Sequence, residues 1–505
     1  MDNKVEIFDK AWRWIEEYTI DGNGIAITSK QQVIYPEVTG YYIPTLLMWG
    51  NRRLAIAYAK YLCDIQNEDG SWYGSDYKES YVFDTAQILK GLIAIRGVIK
   101  GKEVDLCIVK GCDWILSNMQ ENGRLTTPSK NAWGNNENFC SELVHIYCLS
   151  PIRDAGKLYR RTDYIEAVDK ILSYYKHEKM EQIINFSLLS HFYAYVVEGL
   201  CDLGEVELAF KCMKNIEKYQ NRKGGIAGLK DVYWTCSTGM FQLALVWYKL
   251  GVLEKGNKIF YYACSLQNKS GGWYGSYPIS SFVYKGFRKK NKPYYFPNEE
   301  ISWANKYFLD ALALKEQLEF EKMAPIFMEN IAQTDGRYIA IKNMVRDFEH
   351  KASICDIGCG KGRYLKRLLE EYPENEYYAM DLSEQVMHEI TCVKDKRTGR
   401  LTQIPYENSF FDLVYVCEAL EHAINLEGAF KELYRIIKSG GKFIIIDKPL
   451  DKLGEIEIYE WEQWISDDAM QKFTDECGGK LEIIKSIPYE DKDDGLFRAW
   501  IVTKY

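Results

Sequence analysis

Apolar and polar positions alternate at a nearly constant interval over the first 310 residues of the chain. Apolar segments with helical spacing are separated by a turn of the form Gln66-Asn-Glu-Asp-Gly70-Ser-Trp72, which returns as Gln267-Asn-Lys-Ser-Gly271-Gly-Trp273. Weaker copies begin at Gln120 and Gln220, so the copies lie about 50 residues apart or twice that. A single helix–turn–helix unit does not bury its own apolar face. The pattern therefore predicts about six helical hairpins over residues 1–315, closed into an α/α toroid.

The pattern changes near residue 351, where short apolar runs begin to alternate with helical segments. This alternation is typical of a Rossmann-like α/β domain with a mostly parallel sheet, and we expect seven strands over residues 351–505. The predicted strands are 353–357, 376–380, 410–416, 442–447, 480–488 and 497–503, and the predicted helices are 364–371, 426–437 and 467–476. Residues 316–350 are predicted to form a helical junction between an all-α domain and this α/β domain.

Composition narrows the possible partners. The 505 residues carry a net charge of −8 without long runs of one sign, which argues against nucleic acid and anionic membranes as partners. No apolar run is long enough for membrane insertion, and the first residues do not resemble a secretory signal. The 14 cysteines are scattered without the spacing of a disulfide framework. We therefore expect a cytoplasmic protein, and its oligomeric state stays open.

The turns at Gln66 and Gln267 resemble the repeat of squalene cyclases and of protein prenyltransferase β subunits. In such a repeat we expect the glutamine to cap a neighbouring helix end, the glycine to permit a tight turn and the tryptophan to pack between hairpins. The Asp-x-Asp-Asp acid motif of the cyclases is missing from this part of the chain. The zinc ligands of the prenyltransferases are also missing, because Asp231 and Cys236 have the wrong spacing.

Cys140, His145 and Cys148 have a spacing that can place them on one helix face, but three buried helical residues explain the same pattern. We therefore expect no metal in the site, and whether a metal assists methyl transfer stays open.

Three carboxylates of the helical part lie in turns or first helical turns near aromatic residues: Glu37, Asp84 and Glu299. Tyrosine and tryptophan rings stack on sugar C–H faces, and carboxylates accept hydrogen bonds from sugar hydroxyls. These residues therefore predict a saccharide site inside the toroid. The alternative is that Asp84 caps a helix and Glu299 only favours a first helical turn.

The α/β part opens with a glycine-rich turn, Asp356-Ile-Gly358-Cys359-Gly360-Lys-Gly362, directly after the first strand. Glycine allows both the sharp turn into the next helix and a close approach of the backbone to a ligand. The second strand ends on Asp381, where a carboxylate can accept both ribose hydroxyls of an adenosine group.

This series, followed by the buried strand 410–416 and by Glu418 and His422, resembles the methyltransferase family that includes ubiquinone and malonyl-carrier methyltransferases. The resemblance covers about 150 residues. It implies S-adenosyl-L-methionine as the cofactor. A nicotinamide dehydrogenase, whose fold also opens with a glycine-rich turn, is the structural competitor.

Residue roles follow from this resemblance. The turn Gly358-Cys359-Gly360 is expected to approach the methionine portion of the cofactor, and Asp356 to orient the turn or to meet the amino group. Asp381 is expected to bind the ribose, with Leu382 against the adenine. Glu418 is expected beside the sulfonium and the acceptor.

One position departs from the family pattern. Relatives carry an acid that receives the adenine amino group, and Arg400 stands at that position here. We expect Gln403 or a backbone carbonyl to replace the acid, and we include the neighbouring Ile404 in the predicted adenine contact.

A hydroxyl acceptor also requires a base, and the candidates are His422, Glu418, Glu421 and Asp447. His422 has the alternative role of an ordinary helix-start residue. Trp461 follows the fifth strand and is expected either to stack on a sugar ring or to anchor the next helix. The predicted function is methyl transfer to a small-molecule or saccharide hydroxyl, with the toroid binding or presenting the acceptor. The alternatives are a toroid with its own carbohydrate-processing activity, epimerase-like or lyase-like, and a toroid that binds an isoprenoid.

Overall fold

The computed structural model describes residues 4–99, 101–128, 140–279, 294–457, 462–490 and 492–505. These residues form two compact units. Residues 6–47 and 52–316 make up the first, called here the helical unit, and residues 4–5, 48–51 and 317–505 make up the second, the sheet unit. The expected junction 316–350 therefore groups with the sheet almost entirely. None of the described helices combines the length and the apolar character that a membrane span requires.

The helical unit is built from thirteen helices and two small antiparallel pairs of strands among its described residues. The helices are α1 (Lys4–Glu17), α2 (Pro36–Met48), α3 (Arg52–Asp64), α4 (Val82–Ile95), α5 (Lys102–Ser117), α6 (Leu149–Tyr159), α7 (Thr162–Glu178), α8 (Met180–Ile184), α9 (Ser190–Asp202), α10 (Val206–Ile216), α11 (Ser237–Lys249), α12 (Leu253–Cys264) and α13 (Ser302–Met323). The strand pairs are β1 (Thr19–Ile20) with β2 (Gly24–Ile25), and β3 (Trp234–Cys236) with β4 (Ser276–Pro278). A 3-10 helix, Glu142–Cys148, precedes α6.

Two kinds of helix alternate along this unit. Nearly every residue of α2 and α11 is buried, whereas α3 and α10 bury only one face. A helix that is apolar on all sides belongs inside a domain, and an amphipathic helix covers its surface. The alternation therefore separates an inner layer from an outer layer.

The inner segments contact one another in a closed cycle. Its members, in order, are α2, α4, the 3-10 helix with α6, α9, α11 and α13. The contact between α11 and α13 includes Phe241 and Phe308, whose ring centroids are 5.5 Å apart. The cycle closes between α13 and α2, where the Thr45 hydroxyl donates to Asp310 at 2.6 Å. The start and the end of the unit are thus packed together.

The repeated turns have the same hydrogen bonds in both strong copies. The Gln66 side-chain amide donates to the carbonyls of Gly70 and Cys107, both at 2.9 Å. The Gln267 amide makes the equivalent pair of bonds at 3.0 Å, to Gly271 and Ile7. Cys107 and Ile7 lie inside α5 and α1, so each glutamine binds an internal carbonyl of a neighbouring helix and not a helix end as expected. The tryptophans are buried as expected.

The sheet unit has four helices and seven strands among its described residues. The helices are α14 (Gly336–Arg346), α15 (Arg363–Glu371), α16 (Leu426–Ile436) and α17 (Asp467–Cys477). The strands are β5 (Ser353–Ile357), β6 (Glu376–Asp381), β7 (Asp395–Thr398), β8 (Phe411–Cys417), β9 (Ile437–Asp447), β10 (Lys480–Tyr489) and β11 (Lys492–Thr503).

The strand order is β10-β11-β9-β8-β5-β6-β7, and all pairs are parallel except the two that β11 forms with β9 and β10. This confirms the predicted Rossmann-like, mostly parallel sheet of seven strands, whose last strand is antiparallel to its neighbours. β7 was not located from the sequence, because its four residues are mostly exposed and polar. The carboxyl ends of β5, β6, β8 and β9 share one edge of the sheet, where ligands bind in folds of this type.

Candidate active site

The glycine-rich turn joins β5 to α15 at this edge. Gly358, Gly360 and Gly362 have φ angles of 76°, 52° and 75°, values that residues with a Cβ rarely adopt. The N–H groups of Gly358 and Cys359 both donate to the Met380 carbonyl, at 2.8 and 3.1 Å, which ties the turn to β6. A Cβ added at Gly360 would meet no atom within 4 Å. The backbone of the turn is therefore accessible to a ligand at this position.

Asp381 ends β6 beside the turn. Its Oδ2 accepts the N–H of Gly360 at 2.9 Å, and its Oδ1 accepts the N–H of Ser383 at 3.1 Å. Burial raises the pKa of Asp381, and the donating N–H groups act in the opposite direction. A carboxylate has about four acceptor positions, so two remain for the hydroxyl groups of a ligand. The geometry fits a ribose.

Asp356 lies inside the end of β5 and is 2% exposed. Its Oδ2 has no hydrogen-bond partner among the described residues. Burial raises the pKa of Asp356 to about 8. A buried carboxyl group with an open oxygen has room for a positively charged partner, and the amino group of S-adenosyl-L-methionine is such a partner.

The segment expected to face the adenine lies between β7 and β8. Ile404 is buried, and its backbone N–H donates to the Glu432 carboxylate at 2.9 Å. The acid that contacts this segment therefore binds the backbone of the segment itself. Glu432 was not identified from the sequence, since it lies on α16. The Arg400 guanidinium lies 5.1 Å from the Trp49 ring centroid. The Gln403 side chain is exposed and stays the candidate for the adenine amino group, beside the half-buried Leu382.

Glu418 follows β8 in a left-handed conformation, with φ of 52°. Its Oε2 accepts hydrogen bonds from the Arg337 guanidinium at 2.6 Å and from the Arg363 guanidinium. Arg337 is 4% exposed and lies 4.5 Å and 4.8 Å from the ring centroids of Tyr489 and Phe497. Two guanidinium groups therefore hold the Glu418 carboxylate, and its expected role as a base stays a prediction. Both arginines were missed: Arg337 lies on α14, which was assigned to a junction, and Arg363 begins α15, directly after the glycine-rich turn.

His422 lies after β8, in a 3-10 turn against the Phe320 ring, with 5.2 Å between ring centroids. Burial, with smaller effects of the Lys448 and Lys4 charges, lowers the pKa of His422 to about 3. The imidazole is therefore neutral at pH 7 and weakly basic. This weakens the expectation that His422 removes a proton from a hydroxyl acceptor.

Asp447 ends β9 and is fully buried. Its Oδ2 accepts the N–H of Glu421 at 3.1 Å, and its Oδ1 lacks a partner within the described ranges. Burial and then the Glu421 charge raise the pKa of Asp447 well above its usual value. Lys448 binds both oxygens of Glu421, at 2.6 and 2.7 Å. Asp447 thus has the proton affinity of a base, and its Oδ1 is free to accept a proton.

Side chains of Glu421, His422 and Glu462 place possible metal-ligand atoms within 4.8 Å of one another. The Lys448 ammonium already occupies the Glu421 carboxylate, and a cation at Glu421 would have to displace it. Trp461, the predicted acceptor contact, lies outside the described residues.

The carboxylates expected in the helical part do not form one group. Glu37 and Asp84 lie in the first turns of α2 and α4 and are 5% and 6% exposed. Asp84 is not a helix cap, because the N-cap of α4 is Tyr81. Glu299 has other partners, with hydrogen bonds from Thr28 at 2.7 Å and from the Gln31 side chain at 3.1 Å. Glu299 therefore has its own partners, and the predicted saccharide site of the helical part stays a prediction.

The glycine turn, Asp381 and the strands around them lie in a segment that matches a known family. Residues 355–445 match the family model described as "Methyltransferase domain". The C-terminal part of the chain is a methyltransferase domain. It belongs to the class that uses S-adenosyl-L-methionine, as the resemblance of the sequence implied.

Two curated relatives match the methyltransferase domain. Sterol 24-C-methyltransferase of Aspergillus fumigatus is 30% identical over 130 residues, which are 22% of this chain and 33% of the relative. Demethylmenaquinone methyltransferase of Leptospira interrogans is 26% identical over 175 residues, which are 30% of this chain and 68% of the relative. The chain thus spans only a third of the sterol methyltransferase that it matches.

Solved structures also align with the methyltransferase domain. The PH0226 protein of Pyrococcus horikoshii is 19% identical, with 37% of this chain and 99% of that chain covered and a TM-score of 0.30.

Proposed function

We propose that the sheet unit transfers a methyl group from S-adenosyl-L-methionine to a small-molecule acceptor. The observation that carries this proposal is the pairing of Asp381 with the open glycine turn, next to the unpartnered oxygen of Asp356. The cofactor supplies a methyl group activated by a positively charged sulfur. The protein has to hold acceptor and methyl group in line, which accounts for much of the rate.

The cofactor contacts follow from the geometry of the sheet edge. Asp381 would bind the ribose hydroxyls with its two free acceptor positions, and Asp356 would bind the amino group. Leu382 and Gln403 would contact the adenine. The ion pairs with Glu418 hold Arg337 and Arg363 at the same strand end, where a guanidinium can bind the methionine carboxylate.

The acceptor proposed from the sequence is a hydroxyl, which includes the hydroxyl groups of saccharides. The two candidates after β8 do not favour an aliphatic hydroxyl, because His422 is weakly basic and Glu418 binds two arginines, which leaves Asp447 as the candidate base for such an acceptor. An acceptor that needs no strong base, such as an electron-rich carbon or a neutral amine, suits this geometry better. The names of the two relatives also refer to other acceptors, a sterol carbon in one and demethylmenaquinone in the other.

We propose further that the helical unit is an α/α toroid that binds the acceptor. The closed cycle of inner segments supports the toroid, and the buried pair Glu37 and Asp84 supports a ligand site inside it. A toroid with its own carbohydrate-processing activity and a toroid that binds an isoprenoid are the alternatives.

Titration calorimetry of the full chain with S-adenosyl-L-methionine and S-adenosylhomocysteine tests the cofactor site. An Asp381→Asn variant should weaken the binding of both by about 10- to 100-fold, since hydrogen bonds to a charged acceptor contribute about 1.5–3 kcal/mol. Asp395→Asn is the control, because Asp395 begins the neighbouring strand and pairs with Arg397 at the surface. Equal affinities of the wild type and the Asp381 variant would refute the proposed ribose contact.

A further inference from the structure

Glu37 and Asp84 form a buried carboxyl pair that has no cationic partner among the residues that the structure describes. Neither forms an ion pair with any residue in the described parts of the chain, although Lys306 is near Glu37. Lys306 is engaged elsewhere, because its ammonium lies 2.7 Å from Asp310. Burial and then the Asp84 charge raise the pKa of Glu37 well above its usual value, and burial raises the pKa of Asp84 to about 7. The protein thus keeps two acids where ionisation is costly.

Other buried carboxylates of the helical unit are satisfied. Glu198 accepts hydrogen bonds from Lys249 at 2.9 Å and from Gln242 at 3.1 Å. Glu300 accepts from the Trp14 indole at 2.7 Å and from Asn268, among others. The pair differs from these acids in its partners: the Tyr35 hydroxyl hydrogen-bonds to both carboxyl groups, and no ammonium or guanidinium group among the described residues forms an ion pair with either. A buried acid pair of this kind is a candidate for binding a charged ligand.

Aromatic rings surround the pair. The Tyr35 hydroxyl lies beside both acids and hydrogen-bonds to them. Burial, followed by the charges of Asp84 and Glu37, raises the pKa of Tyr35 well above its usual value. The Glu37 charge also acts on Tyr41, Tyr195 and Tyr295, and the Trp303 ring centroid lies 6.5 Å from that of Tyr35. Tyr35 and Tyr295 retain solvent-accessible surface, so a small molecule can approach the pair.

Rings of this interior already bind cations. The Lys306 ammonium lies 3.9 Å from the ring centroid of Tyr307 and 4.9 Å from that of Tyr41. The Lys90 ammonium lies 2.8 Å from the ring centroid of Tyr147. Ring faces and carboxylates both attract positive charge, whereas a neutral sugar would leave the two acids without a counter-charge.

We propose that the helical unit binds a small organic cation, an alkylammonium or a similar group, between the Glu37–Asp84 pair and the surrounding tyrosine and tryptophan rings. This deepens the proposed acceptor-binding role of the unit and rests on that role for any link to methyl transfer. Binding itself is independent of the cofactor.

The test uses two probes of the same shape and different charge, choline and its neutral carbon analogue 3,3-dimethylbutan-1-ol. Calorimetric or NMR titration of the full chain should show binding of choline and at least about 10-fold weaker binding of the alcohol, because cation–π contacts and a nearby carboxylate favour the charge by about 1–2 kcal/mol. Choline has a permanent charge, so its own titration does not enter the comparison.

Glu37→Gln and Asp84→Asn keep the shape of each side chain and should each weaken choline binding by about 10-fold. Both variants should also melt at a higher temperature than the wild type, which excludes misfolding as the cause of the loss. Glu207→Gln is the control, because Glu207 is an exposed acid in the first turn of another helix, α10, and should leave choline binding unchanged.

Equal binding of choline and the alcohol would overturn the proposal, and so would a lack of choline binding by folded protein. Binding of a neutral sugar, such as methyl glucoside, that depends on Glu37 would overturn it in favour of a saccharide site. The same samples are titrated with S-adenosyl-L-methionine. Cofactor binding without choline binding refutes this inference alone, and choline binding without cofactor binding refutes only the proposed methyl transfer.

Discussion

Asp356 shows how a single side chain can serve binding at the expense of stability. It is buried at the end of β5, and the titratable groups nearest to it are Tyr415, Asp381 and Arg363. Tyr415 stays neutral near pH 7, because burial raises its pKa well above the usual value. The Arg363 charge opposes the effect of burial but is shared with Glu418. Without a ligand, the Asp356 carboxyl group is therefore held protonated up to about pH 8.

This predicts a pH dependence with a definite sign. Between about pH 4 and pH 8 the unfolded chain has released the Asp356 proton and the folded chain keeps it, so the free energy of unfolding falls as the pH rises. Asp356→Asn removes this titration. In the absence of cofactor, the variant should gain about 1–3 kcal/mol of stability relative to the wild type between pH 5 and pH 8. Urea denaturation at the two pH values measures the difference.

Asp412 supplies a control of opposite sign. The Lys438 ammonium and the Ser353 hydroxyl and N–H bind its carboxylate, and they lower its pKa despite partial burial. Its contribution to stability is therefore present near pH 7 and is lost as the pH falls through its lowered pKa. Asp412→Asn should be less stable than the wild type near pH 7, with a deficit that shrinks in acid. A parallel response of the two variants to pH would refute the assignment for Asp356.

At the scale of single elements, the repeated turn was the most informative part of the sequence. Gln66, Gly70 and Trp72 identified a helix–turn–helix unit because their roles are local and each needs one residue type. The inner segment of the third hairpin was harder to predict. It begins as a 3-10 helix, Glu142–Cys148, and it follows residues that carry only a weak copy of the turn. The cycle of inner helices depends on contacts distant in sequence, which periodicity does not report.

Contacts between inner helices predict a sharp sensitivity to volume. A Cβ at Gly40 of α2 would lie 2.5 Å from the Ile88 Cα of α4, and a Cβ at Gly91 would lie 2.1 Å from the Gly40 carbonyl oxygen. Both clashes are with backbone, so the helices themselves must move apart. Gly40→Ala and Gly91→Ala should each destabilise the helical unit by about 1–3 kcal/mol or more.

The matched control for these variants is Gly97→Ala, just after α4, where a Cβ would meet no atom within 4 Å. It should change the free energy of unfolding by less than about 0.5 kcal/mol. Thermal or urea denaturation followed by circular dichroism gives the comparison. If Gly40→Ala were as stable as Gly97→Ala, the close packing of α2 on α4 would be wrong.

At the scale of the whole molecule, the sequence predicted the α/β part far better than its chemistry. The positions of most strands and of Asp381 follow from patterns within short segments. The state of His422 does not, because its pKa depends on burial and on Lys448 and Lys4, which lie far from it in sequence. The same holds for Arg337, whose partner Glu418 is 81 residues away. Long-range electrostatics is the part of the site that a motif cannot report.

Because each unit has its own buried interior, a ligand of one unit should stabilise that unit first. A ligand present at 100 times its Kd stabilises the state that binds it by about 2.7 kcal/mol. Hydrogen exchange with mass spectrometry resolves where this stabilisation occurs. With S-adenosylhomocysteine, we expect about 100-fold slower exchange through β5 and β6 and little change in α9 and α11.

The Asp381→Asn variant at the same ligand concentration should show most of this protection lost, since the ribose contact is weakened. Equal protection of α9 and α11 in the wild type would mean that the two units open together as one cooperative structure. In that case a ligand of the helical unit, such as choline, should also slow exchange through β5 and β6. Protection confined to the sheet unit would instead show that it opens independently of the helical unit.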